Sequence, residues 1–266
     1  MNLLPSVFYG DRQTHLNIWW QGALLLSVFF AISVVLSAFD QRLLADEALW
    51  AKPAKFTISI AIHFITLAVL ASLLSPARRN GVVWQAMSYG VVAAGIFEAM
   101  YIFLQAARGR ESHFNNSTAV ESAMYSLMGL GAVMLVLGSF YLGYLLFKEY
   151  QPKRDEPLLL ASALGLTMGS VLTLIVAGYM SSQIDNEVTI SSYEALRVPV
   201  LGWYLNGQDI RIPHFLATHM MQLLPLYGLW LNQKKQAVGG VYEARLIWTT
   251  SILGLATIVL FLLALY

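Results

Sequence analysis

Seven stretches of this chain stay apolar for about 20 residues, the length at which an α-helix crosses about 30 Å of hydrocarbon. They lie at about 17–38, 56–75, 82–107, 120–147, 157–181, 213–231 and 246–266. Lipid offers no water to backbone N–H and C=O groups, so a crossing segment must be a helix or part of a closed barrel. The runs are continuous rather than alternating, which excludes the barrel. The expected fold is therefore all-α: a polytopic transmembrane helical bundle of seven spans, forming one transmembrane domain over residues 1–266. Composition agrees, since 12% of residues are charged against about 25% in soluble domains.

The same composition removes several function classes. A net charge of +1 and the lack of a long basic run exclude nucleic acid as a partner. With no cysteine there is neither a disulfide framework nor a thiolate ligand, so a metal would need His, carboxylate or amide groups. The opening MNLLPSVFYGDRQTH has no basic region followed by an apolar stretch, and no cleavable signal peptide is expected. All seven tryptophans fall near span ends or in connecting loops, where an aromatic belt belongs. Nine Lys/Arg lie on the side of the amino terminus and seven on the other. The positive-inside rule then puts the amino terminus in the cytoplasm and the carboxyl terminus outside.

Local signals fit these spans. Pro53 and Pro213 suit first helical turns, and Gly109 suits the end of span three. Thr118 and Glu121 read as a capping box that opens span four. Gly165, Gly169 and Ala161 form a small-residue face that predicts a close neighbour for span five. Pro225 is expected to kink span six and free the Met221 carbonyl. Spans one to three and five to seven run in the same sense around span four, a 3+1+3 arrangement in which PAKF at Pro53 and PHF at Pro213 occupy equivalent positions.

Polar groups inside lipid mark sites. Counting 1.5 Å per residue from the expected outer span ends puts His63 about 10 Å deep, Glu98 about 13 Å and His219 about 9 Å. Gln222 follows His219 on its face, Gln105 lies two turns above Glu98, and Ser59 sits one turn before His63, placed to orient it. His63, His219 and Glu98 are thus candidate ligands for zinc or iron. The two histidines are alternatively axial ligands of a haem b, with propionates near Lys52, Lys55, Arg108 or Arg211. Glu98, Gln222 and Ser59 are the catalytic candidates. Without a metal the same groups make a proton relay of the transporter kind. His214 lies about 140° round the helix from His219 and reads as a mouth residue with His113 and Asp209. Arg108, Arg110 and Arg211 join that group as a candidate anion- or substrate-binding cluster; its plain alternative is Arg–Asp pairing in a solvated loop. Asn206-Gly207 is a turn signal in a fifth loop of about thirty residues, long enough for a lid.

At QAARGRESHFNNST and DIRIPHFLATHMMQLLP the chain resembles an uncharacterised family of bacterial polytopic, seven-span membrane proteins, a likeness that implies the fold and no activity. A looser likeness is to zinc membrane hydrolases of the ceramidase and adiponectin-receptor type. Those carry a serine four residues before a histidine, as Ser59 and His63 stand here, then an acid on the next span and a late histidine pair. Here the late pair, His214 and His219, has one more intervening residue. Microbial rhodopsins are excluded, because RLIWTTSILGLATIVLFLLALY has no lysine for retinal. The expected function is a buried His/Glu metal or haem centre with redox or hydrolytic chemistry. The alternative is a proton-coupled transporter. Expected partners are the bilayer, a small molecule or lipid arriving from the outer face, and a second copy of the chain.

Overall fold

A computed structural model describes residues 14–44, 47–153, 156–182, 198, 202–204, 209–234 and 241–265. The calls on Arg12, Arg154, Arg197, Lys235 and the Asn206-Gly207 turn, with most of the fifth loop, lie outside the described residues. Among the described residues there are eight helices and one two-stranded hairpin. In chain order these are α1 (Thr14–Phe39), β1 (Leu43–Leu44), β2 (Glu47–Ala48), α2 (Ala51–Ala71), α3 (Pro76–Arg79) and α4 (Val82–Ala107). Then come α5 (Ala119–Lys153), α6 (Pro157–Ser182), α7 (Arg211–Gln233) and α8 (Tyr242–Leu263). Six of them, α1, α2, α4, α5, α6 and α8, are long and apolar enough to cross a bilayer, which marks a multi-pass membrane protein. The long helix α7 falls short of that apolarity because it carries Arg211, His214, His219, Gln222 and Asn232.

Helix bounds differ from expectation most at α5, which runs on to Lys153 rather than about 147, and at α2, which begins at Ala51 rather than near 56. Lys52 and Lys55 interrupt the apolar run without interrupting the helix: Pro53 needs no N–H in the first turn, and the Ala54 N–H already bonds the Trp50 carbonyl at 3.1 Å. The antiparallel hairpin, which pairs Leu43 with Ala48 and Leu44 with Glu47, is too short to leave a periodic signal.

The chain falls into two units, Met1–Gly138 and Ser139–Tyr266. In unit one, the Phe64 ring is held between two glycines. A Cβ at Gly22 of α1 would lie 2.9 Å from the ring, and one at Gly95 of α4 would lie 2.7 Å from it. Trp19 packs edge-on against Phe64 at 5.4 Å and stacks on Trp84 at 6.4 Å. Both indoles are buried, so these two tryptophans fill the bundle rather than a lipid belt; Trp230 and Trp248 are the exposed ones. At the hairpin end, Trp50 packs on Phe103 at 5.0 Å, and its indole N–H donates to Asp40 at 2.8 Å. Arg42 also donates to Asp40, and these bonds hold that carboxyl well below the usual range.

Unit two is built on the small-residue face expected in span five, and the neighbour is α7. A Cβ at Gly165 would meet the Met220 carbonyl at 2.8 Å and Pro225 Cδ at 3.2 Å; one at Gly169 would meet the Ala217 carbonyl at 3.0 Å. The fit is reciprocal, since a Cβ at Gly228 of α7 would lie 2.3 Å from that of Ala161. Lipid tails are as apolar as leucine, so such backbone approach supplies the packing that hydrophobicity does not. Leu172, Ala217, Met220 and Leu224 form the buried cluster beside it, and the Tyr150 hydroxyl donates to Glu243 of α8. Gly228→Ala is expected to lower stability by about 1–3 kcal/mol through overpacking. Gly178→Ala, which meets nothing within 4 Å, should be neutral or stabilising. Thermal melting of the two variants in detergent checks this contrast.

Candidate functional site

Three segments of unit one bring polar groups together at its hairpin end. On α2, Lys52 and Phe56 are one turn apart. Along α4, Glu98, Tyr101 and Gln105 follow one face, as Glu121, Tyr125 and Met128 do on α5. Between α4 and α5 runs the loop 108–118, whose entry is fixed by Gly109 at φ +66°. Gly109 N–H bonds the Ala106 carbonyl and Arg110 N–H the Gln105 carbonyl, each at 2.9 Å, which closes α4 in a Schellman turn.

Gln105, fully buried, ties the loop down. Its amide donates to the Tyr101 hydroxyl at 3.0 Å and to the Glu111 carbonyl at 3.1 Å, and its oxygen accepts from Arg108 at 2.7 Å. Glu121 accepts from Arg110 at 2.9 Å and from the Ser117 hydroxyl, and Arg108 stands 3.9 Å from it. The Glu121 N–H donates to the Thr118 hydroxyl at 3.2 Å, so the expected cap is present. Arg108 and Arg110 thus meet a carboxylate of their own unit, which is the plain pairing foreseen for this loop, with Glu121 as the acid.

The loop delivers His113 into a set of rings. Its imidazole lies 5.3 Å from Phe56 and 6.1 Å from Tyr125, and Nδ1 lies 3.1 Å from the Ser112 hydroxyl. The next residue, Phe114, takes φ 57°, a left-handed backbone that costs a bulky residue energy and is found where a segment is held for a purpose. Burial, then the nearby Lys52 charge, pushes the His113 imidazole down to about 3. At neutral pH the ring is uncharged. On α4, Glu98 is 7% exposed and its Oε2 has no hydrogen-bond partner. The Lys52 ammonium acts electrostatically on both Glu98 and His113.

His63 is partly buried within α2, while Ser59 is exposed, not turned inward as an orienting partner would be. Measured along the observed helices, His63 is twelve residues from the start of α2, about 18 Å, and Glu98 nine from the end of α4, about 13 Å. His219 belongs to unit two, where its Nδ1–H donates to the Phe215 carbonyl at 2.9 Å and its ring stacks on Phe215 at 3.7 Å. His214 Nδ1 is buried without a hydrogen-bond partner, and Gln222 is partly buried. Asp209, 1% exposed, accepts from the Tyr204 N–H at 2.9 Å and from Arg211 Nε at 2.8 Å, and Arg211 donates onward to the Gly202 carbonyl at 2.9 Å. That pair builds the entry to α7. Among the described residues no three of His, Asp and Glu form a set able to hold a metal ion. A zinc, iron or haem centre of the kind expected from spacing is therefore not shown.

No family model, curated protein or solved structure matches the chain. The site therefore rests on its own residues. Counting named Glu98 and His113 and proposed Lys52 only as a propionate partner; Phe56, Tyr101 and Tyr125 it missed. The available signal was one-turn spacing: Lys52 to Phe56, Glu98 to Tyr101, Glu121 to Tyr125.

The neutral His113 carries a pH dependence. An unfolded histidine takes up its proton near pH 6.5 and this folded one near 3, so the unfolded state binds more protons between those values. Stability should fall as pH drops from 7 to 4, by at most about 1.4 kcal/mol per pH unit. His113→Phe keeps the ring packing and cannot be protonated, so its melting temperature should vary less over that range. Equal pH profiles for the variant and the parent chain would remove His113 as the cause.

Proposed function

We propose that the chain is a proton-coupled membrane carrier in which Glu98 takes up and releases the transported proton. One observation carries this reading: a carboxyl buried in a membrane-spanning helix has an oxygen without a hydrogen-bond partner, within electrostatic reach of a lysine. An idle charge in lipid is expensive, so a carboxyl left unsatisfied there is best explained by an exchange that needs it free. The loop bearing His113 would cover the site.

In this reading α7 is a seventh crossing. Its 23 residues reach about 34 Å, long enough to cross the hydrocarbon. Spans one to three and five to seven would then form the 3+1+3 arrangement, with the amino terminus in the cytoplasm of a bacterial inner membrane. The hairpin end of unit one would face outside.

Proteoliposomes loaded with a pH dye, given a mixture of small amines, amino acids and organic acids outside, test the reading. The wild-type chain should move protons, and Glu98→Gln should slow this at least tenfold while keeping its melting temperature. Proton movement no faster than in protein-free liposomes, or equal in the variant, would overturn the proposal.

A further inference from the structure

Three arginines gather round Gly109. Arg108 and Arg110 flank it in the loop, and a Cβ on Gly109 would lie 3.8 Å from Nη1 of Arg42, the residue that leads into β1. Arg42 donates to Asp40 through Nε at 2.9 Å and Nη2 at 2.7 Å, Arg108 to Gln105 through Nη1 at 2.7 Å, and Arg110 to Glu121 through Nη1 at 2.9 Å. Arg42 Nη1, Arg108 Nη2 and Arg110 Nη2 make no hydrogen bond to any described residue; Arg108 Nη2 stands 3.9 Å from Glu121. The second Glu121 oxygen is already occupied, since it accepts from the Ser117 and Thr118 hydroxyls. Of the other acids described at this end, Glu47 pairs with Lys55, and Glu111 forms no ion pair with the three arginines. Three guanidinium groups thus share two carboxylates, Asp40 and Glu121, and one positive charge is unmatched.

The cluster stands where the apolar surface stops. The three arginine side chains are about half exposed. Leu104, one turn before Arg108 on α4, is 53% exposed; Phe39, which ends α1, is 80% exposed, and Leu43, next to Arg42, 67%. On a membrane-spanning chain such side chains meet lipid tails, and arginines just beyond them lie at the level of the headgroups. We propose that this corner of unit one binds the phosphodiester of an anionic phospholipid. The phosphate oxygens accept from the unused N–H groups of Arg42, Arg108 and Arg110, and the acyl chains run beside Leu104, Phe39 and Leu43. Guanidinium forks match phosphate oxygens in shape as well as charge. One unmatched charge suits a headgroup with one net negative charge, whereas the ammonium of a zwitterionic headgroup would bring a cation to a site already in positive excess. The site is independent of the carrier reading. It would tie the link between α1 and β1 to the loop that bears His113.

Native mass spectrometry of the full chain in detergent, with dioleoylphosphatidylglycerol and dioleoylphosphatidylcholine as probes, tests the proposal. The anionic lipid should bind more tightly than the zwitterionic one. Arg108→Gln should weaken it by roughly fivefold, the loss of one cation at a headgroup, while Arg78→Gln, which removes the same charge beyond the other end of α4, should leave it unchanged. Arg108→Lys keeps the charge beside Glu121 and carries the test where the glutamine variant does not fold: it should retain the preference for the anionic lipid and lose affinity through the missing fork. Equal binding of the two lipids, or equal losses in Arg78→Gln and Arg108→Gln, would overturn the site. A melting temperature raised as much by sodium phosphate as by the anionic lipid would mark a free-anion site and overturn the lipid assignment.

Discussion

Close backbone approach between helices is what the rest of the structure depends on. In hydrocarbon a leucine gains little by leaving lipid for protein, so helices associate where small residues let backbones and rings meet. Here that happens around one ring in unit one, Phe64 between Gly22 and Gly95, and along one seam in unit two, Gly165, Gly169 and Gly228 against α7 and α6. Each contact fixes helices that carry polar groups. Gly95 lies one turn before Glu98, and Gly165 and Gly169 face the part of α7 that follows His214.

With the helices fixed, charge placement divides the polar residues by role. Arginines of the loop and the α7 entry are answered by carboxylates close in sequence, Arg110 by Glu121 and Arg211 by Asp209, and so serve the architecture. Gln105 and the Schellman turn at Gly109 hold the loop so that His113 enters the rings as a neutral group. Glu98 and Lys52 stand apart from this pairing, and that contrast singles them out.

Much of the fold was legible because lipid imposes helix length and small-residue seams, both visible as spacing. Thr118, Gly109 and the Gly165–Gly169 face needed only local rules. The site was less legible because depth was counted from the ends of apolar runs, and Lys52 and Lys55 moved the apparent end of α2 inward by about a turn. The His219 imidazole bonds its own helix at Phe215, a contact available to any histidine four residues after a carbonyl. Phe56, Tyr101 and Tyr125 read as ordinary apolar positions until the loop placed His113 against two of them.

Helix lengths differ in a way that bears on the host membrane. The 35 residues of α5 reach about 52 Å, whereas the 21 of α2 reach about 32 Å, close to the hydrocarbon thickness. Tilting or sliding lets α5 suit a thick or a thin bilayer with little strain. For α2 there is no such reserve, and Lys52 at its first turn must stay near the headgroups. Bilayer thickness therefore acts on this protein through the helix that bears Lys52, so lipid chain length sets how deeply its ammonium is drawn from water.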